Sequence, residues 1–600
     1  MNALTFNARF DTKQPAADGT VFVHQPRPAI PAGRIAAVHM RYSLLVIARL
    51  RLFMVIGIFV LAAAVALVRI GYLGFAGAPQ GQTTLEEALL PPRGEIADRN
   101  GAPLARTFPA YALWFNPRAM EDDGSPLVAE PREVAERLKA IFPDLDIERT
   151  VRILTSDRGG YLLRRLLPED ANKVFDLGEV ALELPRENDR YYPQGPLGAH
   201  VLGYALEGGD RQLEGKLGME QVLDDRLSNP LLRAEPVALS IDLRVQGALE
   251  DELGRGMLAT NAKGAAGIVL DVDTGEVMAM ASLPAFDPNR SDAQHSPNIY
   301  NRATNATYEL GSTFKPLTVA AAIDAGIVRD LGAEWDAGPV EIGHWRRSDL
   351  KPKGDTLNVA EALAYSSNTV TMRIADALGE ARMRQVMTDL GMNRPPQIEL
   401  PARGRPQWPQ GRSNGSWSRI TTMTVGYGHG IAVTPLHLAS AYAAMVNGGV
   451  YRPATLHRLE PGEAPRGTRV FKASTSSRMR QLMRMISIYG TGRSADAAGY
   501  RVGGKTGSAE KARRGGYAET ALISSFAAAF PMERPRYVVV TVLDEPKGTA
   551  ASSGQRTAAY TAAPIVGALI PRIGPMLDVR PDAARDVDIS DLRSLIEGRR

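Results

Sequence analysis

The chain has 600 residues and no cysteine, and its 70 lysines and arginines against 66 aspartates and glutamates give a formal net charge of +4. This length predicts two or three domains. The lack of cysteine excludes disulfides, thiolate chemistry, cysteine-ligated metal and a cysteine-linked lipid anchor. So small a net charge gives no indication of nucleic-acid binding.

The amino terminus combines a basic tail with an apolar stretch. Residues 1–51 hold seven lysines and arginines against two aspartates, and the seventeen residues Leu52–Val68 then carry no charge. A membrane span needs about 20 apolar residues, so residues 52–73 are predicted to form a retained transmembrane helix. The positive-inside rule puts the tail in the cytoplasm and the rest outside. A cleaved signal peptide, suggested by Ala76-Gly77-Ala78, is the alternative.

Residues 83–239 are predicted to form a separate module between the membrane and the larger domain. It opens with a strand, turn and strand pattern in which Asn100-Gly101 forms the turn. It shows neither a nucleophile–base pair nor a metal-ligand spacing. We interpret it as a spacer and docking module, with Arg93, Asp98 and Glu220 as a structural ion-pair cluster.

Residues 240–575 are predicted to form the larger domain, and the charged tail 576–600 is predicted to be loosely ordered. Helices and strands are segregated rather than alternating, which predicts an α+β fold with an antiparallel sheet between helical layers. In chain order the predicted elements are a helix capped by Ser240 or Asp242 and ending near Gly256, a hairpin of Ala266–Val272 and Glu276–Ser282, a helix after Ser312, a helix Val370–Leu378, a helix after Thr434-Pro435, a strand Val502–Ser508, a hairpin of Ile523–Phe530 and Tyr537–Leu543, and a closing helix Ala559–Leu569.

The stretch Gly311-Ser312-Thr313-Phe314-Lys315-Pro316 is the first candidate for chemistry. A serine hydroxyl needs a base within hydrogen-bond reach, and residues three apart share a helix face. Ser312 is therefore predicted to be a nucleophile and Lys315 the amine that activates it. Pro316 favours a helix that begins close to Ser312, because an interior proline clashes with the carbonyl four residues earlier. Taken alone, the motif is weak evidence, and a capping serine with a solvated lysine explains it better.

Two further motifs follow in the same domain. Ser366-Ser367-Asn368 begins 54 residues after Ser312, and Lys505-Thr506-Gly507 begins 193 residues after it. Ser-x-x-Lys, Ser-x-Asn and Lys-Thr-Gly in this order are the signature of penicillin-binding proteins and serine β-lactamases. The ordered set favours a serine acyltransferase over a chance match.

With these motifs the chain resembles the class B penicillin-binding proteins, the membrane-anchored D,D-transpeptidases of peptidoglycan synthesis, over about residues 50–570. The resemblance implies a penicillin-binding/β-lactamase-like transpeptidase domain behind an elongated α+β pedestal. The run from Gly426 to Pro435 is similar to that of the division (FtsI-type) branch. Two positions depart from the pattern: Leu310 stands where proline is usual, and Ser508 where threonine is usual.

The resemblance also implies a role for each motif residue. Ser312 would attack the carbonyl between the two terminal D-alanines of a stem peptide, and β-lactams would acylate the same serine. The other implied roles are Lys315 as acylation base, Ser366 as proton relay, Asn368 as the group that holds the substrate amide, Lys505, Thr506 and Ser508 as carboxylate binders, Gly507 and Tyr427 as further substrate-binding residues, and the backbone N–H groups of Ser312 and Ser508 as the oxyanion hole.

The resemblance implies a single-pass protein of the bacterial inner membrane, with its catalytic domain in the periplasm. The implied partners are peptidoglycan stem peptides, a membrane glycan polymerase of the shape, elongation, division and sporulation family, and other division proteins. Neither a cofactor nor a metal is expected.

Three alternatives stay open. An elongation-specific transpeptidase would differ in its partners. A β-lactamase would need a deacylating carboxylate, and the sequence points to none. A β-lactam sensor would need several spans and a cytoplasmic effector domain.

Overall fold

The computed structural model describes residues 49–69, 92–119, 127–208, 213–290, 292–411, 415–513 and 516–597. The chain divides into two units, residues 1–88 and residues 89–600. In the first unit the described residues form one helix, Arg49–Arg69, whose 21 residues are long and apolar enough to cross a membrane once. The predicted apolar stretch lies within it, whereas the predicted tail before residue 49, residues 70–73 and Ala76-Gly77-Ala78 lie outside the described residues.

The pedestal module is built around one long strand, Pro103–Phe115, which follows the predicted Asn100-Gly101 turn. Gly101 has a φ of +85°, a conformation that favours glycine. The strands paired with the long strand or its first partner are Ile96–Ala97, Gly160–Leu166, Leu182–Glu183, Arg186–Tyr191 and Val237–Ala238. The helices of the module are Pro131–Ile141, Ile147–Leu154, Pro168–Phe175, Ala199–Leu202, Gly218–Val222 and Asp224–Ser228.

Three charged side chains are buried at the base of the pedestal. Glu220 Oε2 lies 2.8 Å from Arg93 Nε, and its Oε1 lies 2.6 Å from Arg190 Nε. Each of these residues is at most 1% exposed, and Asp224 supplies a second carboxylate 2.6 Å from Arg93 Nη1, so the two arginines are neutralised by carboxylates of the protein. The predicted ion-pair cluster therefore exists for Arg93 and Glu220, with Arg190 and Asp224 as unforeseen further members.

Asp98 does not belong to that cluster, contrary to the prediction. Its carboxylate accepts hydrogen bonds from the backbone N–H groups of Asn100, Ala102 and Leu243. The first two bonds stabilise the turn, and the third reaches the first residue of the helix Leu243–Thr260, which Asp242 caps. Asp98 thus joins the pedestal to the larger domain.

The larger domain contains a five-stranded antiparallel sheet, in the order Val277–Leu283, Gly264–Asp271, Tyr537–Asp544, Gly516–Phe530 and Gly503–Arg513. Side chains of alternate strand residues enter two separate apolar cores. Ile268 and Val540 face one core, and Val269 and Val539 face the other. Helices cover both faces, so the predicted α+β fold with a sheet between helical layers is confirmed.

Five of the covering helices were not predicted, namely Val359–Ala364, Glu380–Asp389, Arg419–Gly426, Ala473–Tyr489 and Ser590–Glu597, and the others differ from the predictions mainly at their ends. Those of the larger domain are Leu243–Thr260, Lys315–Asp324, Val359–Ala364, Asn368–Leu378, Glu380–Asp389, Arg419–Gly426, Pro435–Val446, Ala473–Tyr489, Ala562–Met576 and Ser590–Glu597. Small two-stranded sheets are formed by Trp335–Asp336 with Thr356–Leu357, Val340–Ile342 with Trp345–Arg347, Val450–Tyr451 with Thr468–Arg469, and, in the pedestal, Ala205–Glu207 with Leu213–Gly215.

The prediction of a loosely ordered tail is wrong for its described part. The tail ends in the helix Ser590–Glu597, and Ile589, Leu592 and Ile596 are buried in the larger apolar core. These residues recur at helical spacing, a pattern that the many charges of the segment obscured.

Replacing Glu220 by glutamine is expected to destabilise residues 89–600 by about 3–5 kcal/mol, because two buried arginines lose their shared counter-charge. Chemical denaturation followed by tryptophan fluorescence measures the change. Glu136→Gln is the matched control, since Glu136 pairs with Arg132 at the surface, with both side chains more than half exposed. Its effect is expected to stay within about 0.5 kcal/mol, and equal effects of the two variants would contradict the buried-charge argument.

Candidate active site

Ser312 lies in a short 3₁₀ turn, Gly311–Phe314, which runs directly into the helix Lys315–Asp324. Pro316 occupies the first turn of that helix, as predicted from its steric clash with an earlier carbonyl. The turn is held from behind, because the Tyr442 hydroxyl donates to the Thr313 carbonyl at 2.7 Å. Ser312 itself is half-buried at the edge of the apolar core.

Ser366 occupies the corner between two helices. The helix Val359–Ala364 ends just before it, and the helix Asn368–Leu378 starts just after it with Ser367 as its N-cap. Ser366 has a φ of +62°, which is uncommon for a residue other than glycine. The two helices fix this backbone conformation, and the backbone conformation sets the direction of the Ser366 hydroxyl.

Lys505 lies on Gly503–Arg513, the strand at one end of the sheet order. Glycine at position 507 lets this strand pass the Ser312 turn, since a Cβ there would lie 2.2 Å from the Leu310 carbonyl oxygen. Thr506 Oγ1 lies 2.7 Å from Thr491 Oγ1. Ser508 Oγ accepts a hydrogen bond of 3.0 Å from the backbone N–H of Ala558.

The three motifs meet at the Ser366 hydroxyl. Lys315 Nζ lies 3.1 Å from Ser366 Oγ and also donates to the Ser366 carbonyl. Lys505 Nζ lies 2.9 Å from the same Oγ. The Ser312 hydroxyl forms no hydrogen bond with Lys315 within the described residues, so the Lys315 amine is engaged by Ser366 instead.

Both lysines are fully buried. Burial lowers the pKa of Lys315 well below its ordinary value, the charge of Lys505 lowers this pKa further, and Asp349 partly offsets both effects. Burial also lowers the pKa of Lys505, to about 7. No aspartate or glutamate in the described parts of the chain lies within ion-pair distance of either Nζ, so the site holds a buried positive charge that an anion would neutralise.

Asp349 is a site residue that the sequence did not reveal. Its Oδ1 accepts from the backbone N–H groups of Asn368 at 2.6 Å and Thr369 at 3.2 Å, and its Oδ2 accepts from the Ser367 hydroxyl at 2.6 Å. A carboxylate at a helix N-terminus is favoured by the unpaired N–H groups there. Because Asp349 comes nineteen residues before Asn368, in an exposed loop without a motif, no local pattern announces it.

Asn368 and Tyr427 are the two remaining predicted site residues. Asn368 is half-buried in the first turn of its helix. Tyr427 is only 4% exposed and packs with Val340, Met372 and Met423. The ring of His429 lies 5.0 Å from that of Tyr427.

Glu309, the residue before Leu310, joins the loop that contains His429 to the Ser312 turn. Glu309 Oε1 accepts from the Gly430 N–H at 3.0 Å, and its Oε2 lies 3.2 Å from His429 Nδ1. Gly428 also accepts a hydrogen bond from the Gly311 N–H through its carbonyl, at 3.2 Å. Glu309 was not predicted, because nothing in the local sequence links it to residues 428–430.

Two known protein families match the chain. Residues 265–567 match the penicillin binding protein transpeptidase domain. Residues 88–229 match the penicillin-binding protein dimerisation domain. The first match contains all three motifs of the active site, and the second covers most of the pedestal module.

The chain is also similar to whole proteins along about four fifths of its length. It is 37% identical over 504 residues to the probable peptidoglycan D,D-transpeptidase FtsI of Caulobacter vibrioides, covering 81% of this chain and 82% of that protein. It is 30% identical to the peptidoglycan D,D-transpeptidase FtsI of Escherichia coli, covering 82% and 84%. It is 29% identical to the stage V sporulation protein D of Bacillus subtilis, covering 82% and 79%.

Replacing Asp349 by asparagine is expected to slow acylation of the protein by a fluorescent penicillin and to cost about 1 kcal/mol of stability, the usual effect of losing a helix cap. Asparagine offers one acceptor oxygen where four donors now bond to the carboxylate. Stopped-flow fluorescence measures the acylation rate, and thermal unfolding measures the stability. Asp355→Asn, at an exposed position of the same loop, is the control and should equal the parent.

The second-order acylation rate constant is expected to follow a bell-shaped pH profile. Lys315 accepts a proton only when neutral, so the rate falls as pH falls through its lowered pKa. Lys505, with a pKa of about 7, loses its charge above that pH and with it the attraction for a ligand carboxylate. Lys505→Arg is expected to lose the alkaline limb, because guanidinium stays charged. An alkaline limb that persists in this variant would assign that limb to another group.

Proposed function

Because the chain belongs to the penicillin-binding protein transpeptidases of the FtsI type, we propose that it is a peptidoglycan D,D-transpeptidase of cell division. It joins stem peptides of the cell wall through an acyl-enzyme on Ser312. One arrangement supports this above all. Two buried lysines from different motifs, Lys315 and Lys505, share the hydroxyl of Ser366. Lys315 lies one helical turn after Ser312, which is half-buried. Such an arrangement supplies both a neutral amine and a cation at neutral pH.

In the first half-reaction Ser312 Oγ attacks the carbonyl carbon between the two terminal D-alanines. Neutral Lys315 takes the hydroxyl proton, and the C–N bond to the last D-alanine breaks. The departing amine receives a proton through Ser366, whose Oγ bonds to both lysines. Lys315 bonds to Ser366 in the structure, and a base often turns to its nucleophile only in the complex with substrate.

The cation on Lys505 binds the carboxylate of the last D-alanine, or the equivalent acid of a β-lactam. Thr506 and Ser508 donate their hydroxyl protons to the same carboxylate. The Ser508 oxygen already accepts from the Ala558 N–H, and a hydroxyl that accepts in this way keeps its own proton to donate. Lys505 Nζ donates to Ser366 Oγ and to the Thr506 carbonyl, and no aspartate or glutamate in the described residues lies within ion-pair distance of it, so its charge is available to the ligand carboxylate.

The rest of the substrate is held by backbone and by polar groups of the walls. Among the described residues the strand Gly503–Arg513 pairs on one side only, which leaves its other edge open for an extended peptide. Asn368 binds a substrate amide, Gly507 permits close approach, and Tyr427 shapes the wall of the cleft. The N–H groups of Ser312 and Ser508 form the oxyanion hole, in which one donor is worth roughly 10²–10³ in rate.

In the second half-reaction an amino group of a neighbouring stem peptide attacks the ester carbonyl. The new amide bond forms, the ester bond to Ser312 Oγ breaks, and the proton lost by the amine returns to that oxygen through Lys315. The protein is then ready for another cycle without any cofactor.

In the cell, the helix Arg49–Arg69 crosses the inner membrane once. Positive charge before the span puts residues 1–51 in the cytoplasm, and residues 83–239 and 240–575, as pedestal and transpeptidase domain, in the periplasm. A membrane glycan polymerase of the shape, elongation, division and sporulation family supplies nascent glycan, and other division proteins bind there too. The relatives named FtsI favour the septal role over the elongation role.

The described residues argue against a β-lactamase and a sensor. A β-lactamase needs a carboxylate that activates water, and Asp349, the acid whose charge acts on Lys315, already accepts from the N-terminus of a helix. A sensor needs several membrane spans, and one helix in the described part of the chain is long and apolar enough.

Exposure of the full-length protein to a fluorescent penicillin, beside Ser312→Ala, tests the proposal. A long-lived label on the parent and none on the variant is expected, because only Ser312 forms the acyl-enzyme. Thr313→Ser, a change on a buried neighbour, is the control for folding and should be labelled. Label that clears within seconds would indicate a β-lactamase, and a well-folded parent without label would overturn the assignment of the motifs.

A further inference from the structure

The carboxy-terminal residues 581–597, which we call the strap, have no role in the chemistry described so far. The match to the transpeptidase family ends at residue 567, before the strap begins. The strap nevertheless contacts both walls of the active site: its helix Ser590–Glu597 packs on the helices Val359–Ala364 and Ala473–Tyr489. The first of these leads to Ser366, and the second precedes the strand that carries Lys505.

The strap holds one end of that strand through Arg484. This arginine is 8% exposed, so its charge needs partners inside the protein. Its Nε lies 2.8 Å from Asp586 Oδ2, and its Nη1 lies 2.7 Å from Asp496 Oδ1. The same Nη1 donates to the carbonyl of Val502 at 3.0 Å. Asp586 of the strap therefore holds Arg484, and Arg484 holds the carbonyl of Val502, the residue before the strand.

A second arginine, Arg501, lies one residue before Val502 and also contacts the strap. Arg501 is 6% exposed and has a φ of +48°. Its guanidinium donates to the carbonyl of Asp582 at 3.1 Å and pairs with Glu533. The backbone N–H of Asp582 donates in turn to the Gly499 carbonyl at 2.8 Å. The segment that leads into the strand is thus tied to the strap at two further points.

The far end of the strap is anchored on the opposite wall. Asn358, which caps the helix Val359–Ala364, donates its side-chain N–H to the Leu595 carbonyl at 2.9 Å. Leu592 and Ile596 are at most 1% exposed in the core below. One short segment therefore bridges the element before Ser366 and the element before Lys505.

We propose that the strap is a positioning element of the active site, which sets Lys505 against Ser366 through Asp586 and Arg484. This inference rests on the proposed catalytic roles of Lys505 and Ser366. Gly503–Arg513 lies at one end of the sheet, and in the described part of the chain its one partner strand is Gly516–Phe530, so one of its sides lacks the support of a neighbouring strand. The strap supports the start of the strand instead, because Asp586 holds Arg484 and Arg484 holds the carbonyl of Val502, three residues before Lys505. Asp586 and Arg484 are positioning residues and touch no substrate.

The test uses the full-length protein in detergent and compares Asp586→Asn with Asp586→Glu. The second-order rate constant of acylation by a fluorescent penicillin is expected to fall about tenfold in Asp586→Asn, since small misplacements of catalytic groups slow reactions strongly. The fraction of protein labelled after long exposure is expected to stay equal to that of the parent. Asp586→Glu restores most of the rate because it retains the carboxylate.

Asp591→Asn is the matched control on the same segment. Asp591 pairs with Arg478 at the surface, where the side chains are 52% and 38% exposed, and its acylation rate should equal that of the parent. Hydrogen exchange at residues 503–506 gives an independent readout and should be faster in Asp586→Asn alone, because the start of the strand is released.

Unchanged acylation and unchanged exchange in Asp586→Asn would overturn the proposal. A smaller labelled fraction with an unchanged rate in the remainder would also overturn it, because the strap would then support folding only. A parent protein that takes no label would refute the proposed function instead, and hydrogen exchange would still report whether the strap holds the strand.

Discussion

The active site depends on two lysine side chains that lie out of contact with water and share one serine hydroxyl. Lys315 and Lys505 are fully buried, and both donate to Ser366 Oγ. Two ammonium groups so arranged repel each other strongly in a medium of low dielectric constant. The site is therefore most stable with one charged and one neutral lysine. In the proposed mechanism, this difference in protonation lets one lysine act as a base while the other binds an anion.

The close approach of three backbone segments makes this arrangement possible. A Cβ on Gly428 would lie 2.1 Å from the Gly311 carbonyl oxygen, and one on Gly507 would lie 2.2 Å from that of Leu310. The Ser312 turn is thus enclosed by glycine on two sides. Ser366 adds a left-handed backbone conformation, and such strain persists only where the surroundings enforce it. Here the helices on either side of Ser366 provide that enforcement.

Features that depend on a few consecutive residues could be predicted from the sequence. The Asn100-Gly101 turn, the helix cap at Ser240 or Asp242 and the three motifs are of this kind, and the segregation of helices and strands predicted the α+β fold. Features that join distant residues could not: Asp349 caps a helix nineteen residues later, and Asp98 crosses between domains. The tail was misjudged because its buried leucine and isoleucine side chains needed a surface supplied by other helices. The roles of individual site residues stay predictions.

A strand at the edge of a sheet is usually blunted or covered, because its open side invites unwanted pairing. In the proposed mechanism the substrate pairs with the open side of Gly503–Arg513, which requires that nothing in the protein lies along that side permanently. The strand must instead be fixed at points away from that side. Thr491 holds Thr506 by its side chain, and Arg484 holds the carbonyl of Val502. Precise placement of Lys505 and an open binding edge are compatible only because these supports come from the helix before the strand and from the carboxy-terminal segment.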